Sequence, residues 1–259
     1  MVDLSIDPVG ESARIIKFLQ TSLTKTGFSR LIIGLSGGID SSLVASLAVK
    51  ALGSENVYIA ILPYGKLGNR GLSMAEQLVN KLTIIRQNVS VIDIKPSVDQ
   101  IISSDRGVDK LRKGNIMARV RMTILYDLAK KHNCLVCGTE NKTEYLLGYF
   151  TRFGDEASDI EPIRHLYKTQ LRQLAQYLGL PGDIITSVPT ADLWAGQTDE
   201  GDFGFSYAEA DQILYLYYDK KLSKEEIVKS GFNSSLVAKV LKRVGDNDFK
   251  HGLPYTIDS

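Results

Sequence analysis

Nine consecutive residues, Gly34-Leu35-Ser36-Gly37-Gly38-Ile39-Asp40-Ser41-Ser42, constrain this chain more than any others. An apolar run, Leu31 to Leu35, leads into them, and apolar residues at helical spacing (Leu43, Val44, Leu47, Ala48, Ala51) lead out. That pattern predicts a buried strand, a tight turn, and a helix from about Ser41 to Leu52. In an open α/β sheet such a turn lies at the carboxyl end of a strand, where ligands bind. Gly37 and Gly38 permit turns that a Cβ would block and let backbone approach an anion closely. Free N–H groups at the helix start, with the helix dipole, then suit a phosphate. The hydroxyls of Ser36, Ser41 and Ser42 add donors. No lysine stands where a nucleoside-triphosphate loop ending in Gly-Lys-Ser/Thr requires one. Asp40 is there instead, an acid suited to a magnesium ion that bridges to phosphate oxygens. The plainer alternative is a tight turn in which Asp40 only caps the helix; two glycines, three serines and an acid favour phosphate.

The rest of the chain alternates short apolar runs with amphipathic stretches. Pro8 suits the first turn of a helix capped by Asp7 and ended at Gly27. Further strands are expected at Val57 to Leu62, Val91 to Ile94 and Cys134 to Cys137, with helices at Leu72 to Leu82 and Val108 to Lys131 between them. Strands separated by helices predict a doubly wound parallel sheet flanked by helices. From Lys168 on, the pattern is mainly helical, with a Gly- and acid-rich loop at Gly196 to Gly204. The expectation is a single domain over residues 1–259, its helical C-terminal extension covering about 205–259.

Composition narrows the function classes. With 44% hydrophobic and 24% charged residues the chain reads as an ordinary globular protein. A formal net charge of +1 gives no bulk reason to expect nucleic acid or a membrane surface as partner. The apolar runs are too short to span a bilayer, and the acidic N-terminus lacks an export signal, so the cytoplasm is expected. Cys134 and Cys137 form a lone C-x-x-C. A redox pair or half of a zinc site is conceivable, but three residues along a strand point to opposite faces, which favours two buried cysteines.

The loop S-G-G-I-D-S resembles that of the ATP pyrophosphatases, enzymes that split ATP between its α- and β-phosphates. Four further segments are similar to those of the ammonia-dependent NAD synthetases. Asn115-Ile116-Met117-Ala118-Arg119-Val120-Arg121-Met122 resembles N-x-x-A-R-x-R-M. Gly138-Thr139-Glu140-Asn141-Lys142-Thr143-Glu144 resembles G-T-x-N-x-x-E. The other two are Thr151-Arg152-Phe153-Gly154-Asp155, with Asp159 and Leu166 to Gln170, and Pro189 to Trp194 with Gln197 to Glu200. The agreement runs from about residue 30 to about 210, with weaker similarity toward Pro254.

This resemblance implies a fold like that of the adenine nucleotide alpha hydrolases and a ligase reaction. The nicotinate carboxylate of deamido-NAD attacks ATP, pyrophosphate leaves, and ammonia converts the acyl-adenylate to NAD and AMP. It also implies that Gly34 to Ser42, Thr139, Lys168 and Thr190 bind ATP. Asp40, Glu144 and Lys168 would be the catalytic residues, and Asp40 with Glu144 would hold Mg2+. Arg119, Arg152, Asp159 and Lys250 would bind deamido-NAD, and the family suggests a homodimer. A helix bearing Ile124, Leu125, Leu128 and Ala129 is the candidate for that interface, with core packing an equal alternative. The roughly 30 residues ahead of the loop leave no room for an amidotransferase domain, so free or separately delivered ammonia is expected. The sequence departs from the family at Arg152, usually lysine; at Glu156, usually glycine; at Ser187, often lysine; and at Phe249-Lys250-His251, where only Lys250 matches a His-Lys-Arg run. Two rival readings are a tRNA-modifying enzyme of the same loop group and a non-catalytic ATP-binding module.

Overall fold

The computed structural model describes residues 2–67, 69–105, 107–252 and 257; Pro254 lies outside them. The chain begins with α1 (Pro8–Thr26), whose first turn is capped by the Asp7 carboxylate accepting from Val9 N. Gly27 ends it at φ +75°, a left-handed conformation that favours glycine. The central elements follow in order: β1 (Leu31–Gly34), α2 (Ile39–Leu52), β2 (Val57–Ile61), α3 (Asn69–Lys81), β3 (Val89–Val91), α4 (Lys95–Ile102), α5 (Lys110–His132) and β4 (Leu135–Cys137). Among the described residues these strands form one fully parallel sheet in the order β3-β2-β1-β4.

Both faces of the sheet are covered, as a parallel sheet requires. Leu31 and Ile33 of β1 point to one side, into a cluster with Leu19 of α1, Leu43 and Leu47 of α2 and Leu78 of α3. Ile32 points to the other, with Val98 of α4 and Met117 and Leu128 of α5. Leu43 and Leu47 are fully buried, and each such side chain contributes about 1.5–3 kcal/mol by leaving water. Cys134 belongs to the second cluster and Cys137 to the first, so strand alternation separates them as expected. Burial pushes the Cys134 thiol up to about 11 and that of Cys137 well above its ordinary value, which leaves two inert apolar side chains. Ile124, Leu125, Leu128 and Ala129 all pack in the second cluster.

Three sequence-based expectations need correction. The third strand is Val89–Val91, not Val91–Ile94. Ile92 and Ile94 still donate to β2 and its extension, but Asp93 turns back to accept from Gly65 N and Lys95 N and ends the ladder. The helix that this aspartate and Pro96 start, α4, was not anticipated. The loop Gly196 to Gly204 contains the short helix α9 (Asp199–Phe203), whose first turn is capped by Thr198 and which ends at the left-handed Gly204.

Beyond the sheet come α6 (Lys142–Leu147), α7 (Lys168–Tyr177), α8 (Gly182–Ile185), α10 (Tyr207–Leu214), α11 (Lys224–Lys229) and α12 (Ser234–Asn247). Helices α10 to α12 pack with Leu147, Tyr167, Phe203 and Phe205 as a separate apolar cluster. Tyr207 of α10 is fully buried there, with its hydroxyl turned toward the carboxyl ends of the strands. In the order β3-β2-β1-β4 the chain runs outward from β1 through β2 to β3 and then crosses back to place β4 on the other side of β1. The crevice between β1 and β4 is therefore the topological switch point of the sheet.

Candidate functional site

Two turns meet at that crevice. The first, after β1, is the Ser36–Ser42 loop. Ser36 Oγ lies 3.1 Å from Ser41 Oγ and accepts from Gly38 N at 3.2 Å, while Ser41 Oγ donates to Gly38 O. Two of the three hydroxyls thus hold the loop in shape. The third, on Ser42, is buried and has no hydrogen-bond partner among the described residues. Gly37 sits at φ +82°, and a Cβ there would run into the carbonyl of Gly71 at the start of α3. Gly38 is the N-cap of α2 and supplies no side-chain acceptor. The amides of its first turn are therefore left without a capping side chain, the condition under which a helix start takes an anion. Leu35 and Ile39 are core residues, so only their backbone faces this end of the site.

The second turn, Gly138 to Asn141, follows β4. Asn141 caps α6: its Oδ1 accepts from Glu144 N at 3.0 Å, and its Nδ2 donates to Asp40 Oδ1 at 2.8 Å. One side chain thereby fixes the acid of the phosphate loop and the first turn that carries Glu144. Lys168, at the start of α7, is only 2% exposed. Its Nζ donates to Asp40 Oδ2 at 2.6 Å and to Glu144 Oε1 at 2.9 Å. Asp40 and Glu144, more than a hundred residues apart in sequence, share one ammonium. Burial works against the Lys168 charge, but Asp40 and Glu144 outweigh it and raise the pKa above its ordinary range. Burial also raises the Glu144 carboxyl, with Lys168 opposing it.

Residues not expected from sequence complete the arrangement. Tyr207 OH lies 3.2 Å from Glu144 Oε1 and donates to Asp199 Oδ2 at 2.9 Å, and Tyr149 OH reaches Asp199 Oδ1 at 3.0 Å. Asp211 is fully buried; it accepts from Thr143 Oγ1 at 2.5 Å and from Thr169 N at 2.7 Å. Lys168 N in turn donates to Thr143 Oγ1. Asp211 therefore ties α6 to the amino end of α7 and fixes the spacing of Glu144 and Lys168. The N-cap preference for asparagine was a usable signal for Asn141. Nothing local in the sequence marks Asp211 or Tyr207.

The other sequence-predicted residues divide into three groups. Thr139 is half-buried just past β4, beside Asn141. Thr190 is exposed and accepts within its own turn from Asp192 N, while neighbouring Pro189 O accepts from Asp199 N. Arg119, Arg152 and Lys250 gather around the segment that follows the carboxyl end of α6. Arg119 Nη2 donates to Arg152 O at 3.2 Å, Arg152 Nη2 to Gly252 O at 2.5 Å, and Lys250 Nζ to Gly148 O and Phe150 O. Asp159 is not drawn into this group; its Oδ2 accepts from Val136 N at 2.8 Å, alongside β4.

Comparison with known proteins gives a consistent result. The family description "NAD synthase" matches residues 11–254. The NH(3)-dependent NAD(+) synthetase of Chlorobaculum tepidum is 43% identical over 93% of this chain and 86% of its own length. That of Fusobacterium nucleatum is 42% identical over 98% and 96%. Among solved structures, NMN synthetase from Francisella tularensis superposes with a TM-score of 0.86 at 32% identity, covering 98% of this chain and all of the other. The NH3-dependent NAD synthetase of Campylobacter jejuni gives 0.83, also at 32%, with 97% and 100% covered.

Proposed function

The chain belongs to the NAD synthase family, and from that membership we infer an ammonia-dependent NAD synthetase that adenylates the nicotinate carboxylate of deamido-NAD and then amidates it. The observation that supports this best is the meeting of Asp40 and Glu144 at the ammonium of Lys168, beside an uncapped helix start at the sheet's switch point.

In this reading the first-turn amides of α2 hold phosphate oxygens of ATP, and Lys168 carries positive charge at the bond that breaks. Its two carboxylate partners keep it protonated across the working pH range. Asp40 and Glu144 offer two hard oxygen donors, the number magnesium uses when substrate phosphates complete its shell, so the donor set fits that ion. Bound there, it would neutralise the departing pyrophosphate. The protein's own residues position and stabilise charge; no side chain serves as nucleophile. Arg119, Arg152 and Lys250 bind the acid substrate at the other end of α6. Two copies form a homodimer, which light scattering tests, and the reaction belongs in the cytoplasm with its nucleotides.

Incubation of the protein with ATP, magnesium, deamido-NAD and ammonium should yield NAD, pyrophosphate and AMP. Production of ADP instead of AMP overturns adenylation. The likeness to an NMN synthetase favours a second reading, in which the acid is a mononucleotide. Comparing kcat/KM for deamido-NAD and nicotinate mononucleotide separates the two.

A further inference from the structure

A cavity of about 200 Å3, lined among others by Glu140, Arg152 and Lys250, belongs to the acid-substrate end of the site. At the phosphate end, Glu144 closes a row in which carboxylates and phenols alternate. Tyr207 OH lies 3.2 Å from Glu144 Oε1 and 2.9 Å from Asp199 Oδ2. Tyr149 OH lies 3.0 Å from Asp199 Oδ1 and 2.8 Å from Asp202 Oδ2. Each phenol has a single hydrogen to donate. The four contacts therefore share two hydrogens, and need decides which acids receive them.

Asp199 needs them most. It is 4% exposed and makes no ion pair among the described residues. Burial raises its carboxyl, against the charge of Lys168 and the hydroxyls of Tyr207 and Tyr149. Leaving such a group without donors costs roughly 1–3 kcal/mol, more when it is charged. Glu144 and Asp202 are supplied from elsewhere. Lys168 Nζ donates to Glu144 Oε1 at 2.9 Å, and Gln197 Nε2 donates to Asp202 Oδ2, also at 2.9 Å. Both phenolic hydrogens thus go to Asp199, which is also the nearer of the two acids around Tyr207. Tyr207 then turns an oxygen lone pair toward Glu144. A carboxylate that receives no hydrogen bond on that side keeps its charge for a cation, whereas a bonded one shares it. Asp199 itself is held in place: its N donates to Pro189 O, and Thr198 caps its helix α9.

We propose that Asp199 is a positioning residue for Glu144: by drawing the Tyr207 hydrogen to itself, it leaves Glu144 open as a metal ligand. This rests on the reading above in which Asp40 and Glu144 hold magnesium beside ATP. The test measures ATP binding by calorimetry, once with magnesium and once with EDTA. The ratio of the two Kd values gives what the ion adds, without turnover. Changing an outer partner of a metal ligand typically costs about 10- to 100-fold in metal affinity, so Asp199→Ala should shrink that ratio at least tenfold. The backbone tie from residue 199 to Pro189 survives this change, so the Kd in EDTA should stay near wild type. Without a phenol to carry the freed hydrogen the effect should vanish. Tyr207→Phe alone, and Tyr207→Phe combined with Asp199→Ala, should both keep a near-wild-type ratio. If Asp199 only packs, the double variant will be as weak as Asp199→Ala, and that result overturns the proposal. A loss of about tenfold in Tyr207→Phe alone overturns it too, and that variant decides the matter even if Asp199→Ala does not fold. A wild type whose ATP affinity ignores magnesium overturns the magnesium reading and this proposal together. A wild-type response that Asp199→Ala retains overturns the proposal alone.

Discussion

The two ends of the site, separated by the single turn from Gly138 to Asn141, are built on opposite principles. At the phosphate end the charged groups already have partners: Asp40 has Asn141 and Lys168, and Glu144 has Lys168 and Tyr207. At the cavity end Glu140 Oε2 faces Arg164 Nη2 at 3.0 Å but, among the described residues, Glu140 receives no hydrogen bond, and Arg164 Nε is also without a partner. The first is a preorganised electrostatic frame, rigid before any ligand arrives and suited to stabilising charge as it develops. The second keeps a closed-off acid beside an arginine with its hydrogen bonding incomplete, at a cost in stability. One short stretch of chain thus holds its acids in different degrees of satisfaction.

The sharpest way to break this contrast is Lys168→Ala. Without the buried ammonium, two half-buried carboxylates face one another, and stability should drop by about 3 kcal/mol in a urea titration. Pyrophosphate release should fall about 10²- to 10³-fold; a variant within tenfold of wild type would show that this frame does not govern the reaction. Next in size is Gly37→Ala. The left-handed conformation costs a Cβ-bearing residue roughly 1–2 kcal/mol, and the Gly71 carbonyl leaves no room. ATP affinity, read by calorimetry, should weaken at least tenfold, while binding of deamido-NAD alone stays near wild type. Equal losses at both ends would merge the regions that the comparison separates.

Glu140→Gln sharpens the contrast from the other side. Burial raises the Glu140 carboxyl to about 9 in the folded protein. An acid whose pKa rises on folding gives stability at low pH, then loses it as pH climbs from its unfolded value, near 4.5, toward 9. Glu161, pushed up to about 7 by burial and paired with the same Arg164, adds a slope of the same sign. The glutamine variant should therefore gain on the wild type between pH 5 and pH 8, by on the order of 2 kcal/mol in chemical denaturation. A flat difference would mean that the carboxyl group is satisfied after all. The smallest effect is expected for Asp211→Asn, whose amide nitrogen no longer accepts from Thr143 or Thr169. One lost buried bond of about 1 kcal/mol should lower kcat about fivefold with KM for the acid unchanged. An effect on KM instead would link this residue to the cavity end.

Legibility from sequence follows the same division. The phosphate loop is written in nine adjacent residues, because its geometry comes from backbone conformation and one strand–turn–helix unit. Flanking periodicity placed β1 and α2 within two residues of where they lie. Asp40 is legible in the loop itself and Glu144 and Lys168 through motif resemblance, and the fold brings all three to one point. Asp211 and Tyr207 were not legible, since they act from α10, across more than sixty residues of chain from Thr143 and Glu144. The cavity was only half legible. Arg152 and Lys250 carried a motif, but Glu140 and Arg164 matter through burial and missing partners, which no linear pattern records. Strand β3 was misplaced because Ile92 and Ile94 look like strand residues and do bond to the neighbouring strand, while Asp93 bends the chain away.

The back-to-back contact of Gly37 with Gly71 carries an implication for anyone who would transplant this loop. Just as Gly37 has no room for a side chain, a Cβ on Gly71 would strike Ser36 O, so each glycine leaves space for the other's backbone. The transferable module is therefore not the nine-residue signature but a composite of it and the opening turn of α3, thirty-odd positions downstream. A chimera that imports one surface without its mate inherits a steric mismatch at the nucleotide's doorstep, however faithfully the signature itself is copied.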